Sequence, residues 1–219
     1  MHNSIEKLIQ IEKLVKSKKE SLNLPKQPRI IAVSKTFKLE KILPLIEHGH
    51  LDYGENKVQE AIDKWSEIKL KKPDIKLHLI GKLQTNKVKF AVKLFDYIHS
   101  VDNEKLAKKI SDESIKINKK IKIFVQVNIG EEKQKSGIDK EHLKKLIVFC
   151  KKLNLDLAGL MCIPPLELNS EKFFKDMEVL TKHYSFEDLS MGMSSDYIEA
   201  AKNSATYLRI GSGIFGKRS

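Results

Sequence analysis

Cysteine is nearly absent: the 219 residues hold two, Cys150 and Cys162. Two thiols do not make a disulfide framework and cannot by themselves complete a structural zinc site. Cys150 lies in an apolar helical stretch with Leu146, Ile147 and Phe149, so it reads as a core residue. Long apolar runs are missing too, and none reaches the roughly 18 residues a membrane span needs. The start, Met-His-Asn-Ser-Ile-Glu-Lys, fits neither a signal peptide nor a transit peptide. A cytoplasmic protein with no membrane attachment is therefore expected. Arginine is scarce: of 41 basic residues only Arg29, Arg209 and Arg218 are arginine. The chain also lacks a Walker loop, a dinucleotide fingerprint, a zinc motif and a nucleophile elbow.

What is present is ordinary in bulk. Hydrophobic residues make up 41% and charged residues 32%, the balance of a globular domain with a real core. The net charge of +12 raises a nucleic-acid partner as one reading. The excess is almost all lysine, spread along the chain and often on polar helix faces. Together with abundant Ile and Asn, it resembles the codon bias of an AT-rich genome. Nucleic-acid binding is not the expectation.

The hydrophobic period alternates between strand and helix. Residues 4–20 are amphipathic at helical spacing, with Ile5, Leu8, Ile9 and Val15 on the apolar side. Pro25 and Pro28 then break the chain. Short apolar runs follow at 29–34, 51–53, 77–80, 97–100, 121–128, 155–161, 186–191 and 207–210. Helical segments separate them near 39–48, 56–69, 85–95, 103–117, 139–153, 170–183 and 195–203. Eight strands alternating with helices predict βα units and a parallel sheet. The expected fold is α/β, a single-domain (β/α)8 TIM barrel with an extra N-terminal helix: helix 1–24, barrel 29–219. A doubly wound open sheet is the alternative. The sequence stops soon after the eighth strand, so the N-terminal helix is expected to cover the outer wall where the last helix is short.

In such barrels the chemistry sits at the C-terminal ends of the strands. Those ends hold Ser34-Lys35-Thr36, Glu55-Asn56, Gly81-Lys82, Gln126-Val127-Asn128, Met161-Cys162, Met191-Gly192-Met193-Ser194 and Arg209-Ile210-Gly211-Ser212-Gly213. A lysine following Ile30-Ile31-Ala32-Val33 would sit near the barrel interior. Desolvation there makes an amine a usable nucleophile toward an aldehyde. The glycines before a short last helix could present backbone N–H groups to a phosphate, or form a plain turn. Ser194 fits that phosphate role or a cap for the helix starting near Ser195. Arg209 is either a buried ion-pair partner or a ligand contact. His78 alone reads as a core histidine.

These stretches, with Tyr53-Gly54-Glu55-Asn56-Lys57-Val58-Gln59-Glu60, His78-Leu79-Ile80-Gly81-Lys82-Leu83-Gln84-Thr85-Asn86-Lys87, Lys135-Ser136-Gly137 and Gly159-Leu160-Met161-Cys162-Ile163-Pro164-Pro165, resemble the YggS/PROSC family of pyridoxal 5′-phosphate (PLP) homeostasis proteins. The resemblance implies a barrel like the N-terminal domain of alanine racemase, and PLP held as a Schiff base on Lys35. It implies Arg209 beside the pyridine nitrogen, Ser194, Gly211 and Ser212 at the phosphate, and Asn56 near the ring, with His78 and Met193 as further cofactor contacts. Departures at Leu77, Lys57 and Ser204 do not touch these positions. An arginine at the pyridine nitrogen disfavours its protonation and weakens the ring as an electron sink. A racemase also needs acid–base groups on both faces of the substrate carbon. In alanine racemase-like enzymes a second domain and a partner subunit supply part of these; 219 residues leave no room for that domain. The expected role is therefore vitamin B6 homeostasis and amino-acid and keto-acid balance, without established catalysis. A PLP-dependent amino-acid racemase is the alternative. Expected partners are PLP and PLP-dependent apoenzymes, and the expected state is a monomer.

Overall fold

The structure, a computed structural model, describes residues 2–21, 26–132, 134–165 and 168–216. Helix α1 (Asn3–Ser21) precedes strand β1 (Arg29–Val33), and strands and helices then alternate. They are α2 (Leu39–Glu47), β2 (Asp52–Glu55), α3 (Val58–Lys71), β3 (Lys76–Leu79), α4 (Val88–Leu94), β4 (Tyr97–Val101), α5 (Glu104–Lys116), β5 (Lys122–Val127), α6 (Lys140–Lys152), β6 (Asp156–Cys162), α7 (Ser170–His183), β7 (Asp188–Ser190), α8 (Tyr197–Lys202), β8 (Tyr207–Ile210) and α9 (Ser212–Phe215). The eight strands close into a barrel in chain order, and every neighbouring pair is parallel. The closed barrel, not the open sheet, is the fold.

The two-residue period of the strands splits the core into two layers. Ile30 and Ala32 of β1 face the helices and join the large outer core with Leu208 and Ile210 of β8. Ile31 and Val33 point inward, with Tyr97, Phe124, Met161 and Tyr207. Gly159 marks the tightest approach in the wall: an added Cβ would stand 1.8 Å from the Asp188 carbonyl oxygen on β7. Both Cys150 and Cys162 are buried and free.

The N-terminal helix buries Ser4, Leu8, Ile11 and Val15, one stripe at helical spacing. That stripe packs on α8, α9 and α2. It covers the wall beside α9, which is only four residues long. The expected ends of the helix (22–24) and of the chain (217–219) lie outside the described residues, as does Pro25. The many lysines behave as polar-face residues. Lys108, Lys175 and Lys182 pair with Asp112, Glu171 and Glu178 one helical turn away.

Several boundaries differ from expectation, two of them next to the strand ends that hold the candidate residues. β2 runs through Gly54 and Glu55, because those residues pair with β1 and β3 before the chain turns outward. α8 starts at Tyr197 after an Asp196 N-cap, two residues later than expected. No helix among the described residues is long and apolar enough to cross a membrane.

Candidate functional site

Parallel strands place all their C-terminal ends on one rim, and a cavity of about 600 Å³ opens there. That volume suits a small cofactor. The turn after β1 carries Lys35, half-buried, into the cavity lining. The turn is held from below. The Ser34 amide continues the ladder by donating to the Gly54 carbonyl (3.0 Å), and the Ser34 hydroxyl donates to Glu55 Oε1 (2.7 Å). Thr36 is a β-branched residue at φ +67°, a strained conformation that its surroundings must enforce. Its amide donates to Glu60 Oε1 at 2.6 Å. Lys64 Nζ ties the set together, donating to the Ser34 carbonyl (2.9 Å), Glu55 Oε1 (2.9 Å) and Glu60 Oε1 (3.1 Å). Burial pushes the Glu60 carboxyl up, but the Thr36 amide and the Lys64 ammonium outweigh it and leave it below the usual carboxylate range.

Asn56 follows β2 and lines the cavity, and its Oδ1 is buried with no hydrogen-bond partner. Gly81 passes so close that a Cβ there would meet the Asn56 carbonyl oxygen at 2.3 Å. Glycine is required for these two loops to share the rim. On the far side, Ser194 Oγ accepts the backbone N–H groups of Gly211 (3.3 Å) and Gly213 (3.1 Å). The two amides hold the Ser194 hydroxyl oxygen, leaving its hydrogen free to turn toward the cavity beside Ser212, and hydroxyl donors suit phosphate oxygens. Ser194 does not cap α8, since Asp196 holds that position and no side chain caps the helix. Met193 lies alongside, its amide held by Asp196 Oδ1 at 2.6 Å.

Arg209 reaches the cavity from inside the barrel, with only 4% of its surface exposed. Its guanidinium donates to Ser190 Oγ (2.7 Å) and to the Cys162 carbonyl (2.8 Å). No carboxylate among the described residues forms an ion pair with it, and burial pushes its pKa below the ordinary value. The ion-pair reading of Arg209 is thereby replaced by a cation facing the cavity. The Cys162 thiol is pushed up to about 12 by burial, so it supplies no thiolate.

The rim thus gathers Lys35, Asn56, Met193, Ser194, Arg209, Gly211 and Ser212. His78, expected from the resemblance as a further contact, is not among the lining residues. It sits in β3 two residues before Ile80, on the same inward face, and only Ile80 lines the cavity. His78 is fully buried one step deeper, bonded to Asp52 and His99. Two lining residues, Lys82 and Lys135, were given no role in the sequence reading. Each follows a strand end, but in a lysine-rich chain one more lysine carries no signal. The four cations of the rim face a cavity with no carboxylate among its described lining residues. Such a field favours an anionic ligand.

The alanine racemase N-terminal domain model matches residues 10–219. The pyridoxal phosphate homeostasis protein of Aquifex aeolicus is 38% identical over 200 residues, covering 87% of each chain. Its counterpart in Escherichia coli K12 is 34% identical over 204 residues, covering 89% of this chain and 87% of the relative. Among solved structures, PipY of Synechococcus elongatus with PLP bound superimposes with a TM-score of 0.81 at 33% identity, covering 92% of this chain and 100% of PipY. Alanine racemase of Clostridium difficile matches with a TM-score of 0.71 at 15% identity over 94% of this chain and 56% of the enzyme, a likeness of fold.

Proposed function

The chain belongs to the pyridoxal phosphate homeostasis protein family, and we propose on that premise that it binds PLP covalently at Lys35 and takes part in PLP homeostasis. The rim fits the group. Its cations answer the negative charge of the phosphate and phenolate, the Ser194 hydroxyl held by the Gly211 and Gly213 amides suits the phosphate together with Ser212, and the Asn56 side-chain amide lines the cavity with its Oδ1 unpartnered. The single observation carrying the proposal is a cavity lining that holds Lys35, Lys82, Arg209 and the Glu132-paired Lys135, no carboxylate among its described residues, and a Ser-Gly cradle.

When bound, PLP supplies an aldehyde that condenses with an amine, losing water, and a ring that can withdraw electrons. The chain's residues do the rest. The Glu55–Lys64–Glu60 network fixes the turn that presents Lys35. Arg209 would hold a positive charge toward the ring nitrogen and so would disfavour its protonation. That arrangement suits holding and handing over the cofactor better than catalysis. A racemase reading needs a proton donor opposite Lys35. No tyrosine, histidine or carboxylate lines the cavity among the described residues, and Lys135 is already paired with Glu132 at 2.6 Å. We read the whole chain, 1–219, as one PLP-binding domain acting in the cytoplasm as a monomer, with PLP-dependent apoenzymes as recipients.

The test is a PLP titration followed by absorption. The parent protein gains a violet band that borohydride abolishes, and Lys35→Ala gains none. A band of equal strength in Lys35→Ala refutes the attachment.

A further inference from the structure

A line of hydrogen bonds runs from Arg209 down the inside of the barrel to its N-terminal end. Arg209 NH1 lies 2.7 Å from Ser190 Oγ, which lies 2.9 Å from His99 Nδ1. His99 Nε2 lies 3.0 Å from His78 Nδ1, and His78 Nε2 lies 2.9 Å from Asp52 Oδ1. Arg29 closes the line, its NH2 at 2.7 and 2.9 Å from the two Asp52 oxygens. Six strands contribute to this line: β8, β7, β4, β3, β2 and β1.

The two ends fix the direction of every proton. A guanidinium only donates and an ionised carboxylate only accepts. Ser190 accepts from Arg209 and must give its single proton to His99 Nδ1. His99 then carries its hydrogen on Nε2 and donates to His78 Nδ1. His78 likewise carries its hydrogen on Nε2 and donates to Asp52. Both imidazoles are neutral in this arrangement, and burial pushes both below the ordinary histidine value. Other titratable or charged side chains facing the line are Tyr97 and Tyr207 against the rings, His50 and Asp96 near its floor, and Cys162 and Asp196 near Arg209. Tyr97 stacks on His78 with ring centres 4.2 Å apart, and Phe124 on His99 at 4.3 Å. In so dry a place a mispaired group is costly and aligned hydrogen bonds reinforce one another.

We propose that Ser190, His99, His78 and Asp52 are positioning residues, a one-way relay that holds the buried Arg209 guanidinium charged and aimed into the cofactor cavity. Arg209 forms no ion pair among the described residues, Asp196 acting on it only at longer range, and each acceptor along the relay turns its negative end toward it. The relay ends on the Asp52 carboxylate at the opposite end of the barrel. This rests on the reading that the cavity holds PLP beside Arg209. It adds that the electronic character of the site is set partly from the barrel floor.

Nitrogen NMR of the imidazole rings in PLP-free protein tests the direction. Both rings are expected neutral with Nε2–H at neutral pH. An Nδ1–H form, or a charged ring, on either histidine overturns the relay. PLP titration then tests its consequence. Ser190→Ala is expected to weaken PLP binding about tenfold and shift the violet band. Ser190→Thr, which keeps the hydroxyl, stays within about twofold of the parent. Asp52→Asn, remote from the cavity, shifts the band in the same sense as Ser190→Ala. Parental affinity and band position in both Ser190→Ala and Asp52→Asn, with only thermal stability lowered, reduce the chain to a structural feature and overturn the proposal. A parent protein with no violet band at all refutes PLP binding, and the ring tautomers still decide the relay.

Discussion

At the floor of the barrel, Asp52, His78 and His99 are bonded to one another and to Arg29 and Ser190, deep among aromatic rings. At the rim, a few residues further along the same strands, Lys35, Lys82 and Arg209 face a cavity, and Asn56 Oδ1 has no partner. The same fold therefore treats polar groups in opposite ways. Where no ligand reaches, each charge meets a protein partner, because an unpaired buried group costs stability. At the rim the charged groups line an open cavity instead of packed rings. The two levels differ in what surrounds the charge: stacked aromatic rings at the floor, space for a ligand at the rim.

Substitutions at the two levels should separate binding from stability. The largest effect falls on the rim: Lys35→Ala abolishes PLP attachment, read by the violet band, and changes unfolding free energy by no more than about 0.5 kcal/mol. A large loss of stability there would break the distinction. The next falls on the wall, where Gly159→Ala forces a Cβ against the Asp188 carbonyl. It should destabilise by about 3 kcal/mol in denaturant unfolding, because backbone has to move.

The floor should also show itself through pH. The folded values of His78 and His99 are lowered by burial, so the unfolded chain binds more protons as pH falls below about 6.5. Their contribution is full above that value and is lost on acidification, at about 1.4 kcal/mol per pH unit for each histidine until the folded ring titrates. Stability measured by denaturant across this range should rise with pH. A flat profile would mean that the rings are charged in the fold. The smallest effect returns to the rim. Lys82→Met should weaken PLP binding about fivefold, roughly 1 kcal/mol, with the loss shrinking as salt is added. A salt-independent loss would point to packing rather than charge.

Much of the fold was legible from residues alone, because Ile30-Ile31-Ala32-Val33 and its seven counterparts alternate with amphipathic stretches at distinct periods. The strand-end rule then collected Lys35, Ser194 and Arg209 into one mouth. The residues alone read His78 as a core histidine, and it is buried; only the resemblance placed it at the cofactor. His78 and Ile80 share a face, and the closed barrel puts Ile80 at the rim. Nor did sequence reveal the Glu55–Lys64–Glu60 support, or Ser190 linking Arg209 to His99. Such partners come from different strands and helices, and no local spacing records their meeting.

The central claim is that, of the three lysines at the rim, Lys35 carries the cofactor. Borohydride reduction of the PLP-loaded protein, followed by peptide mass mapping, reads this directly. The added mass is expected on the peptide containing Lys35. Finding it instead on the peptide of Lys82 or Lys135 would contradict the account.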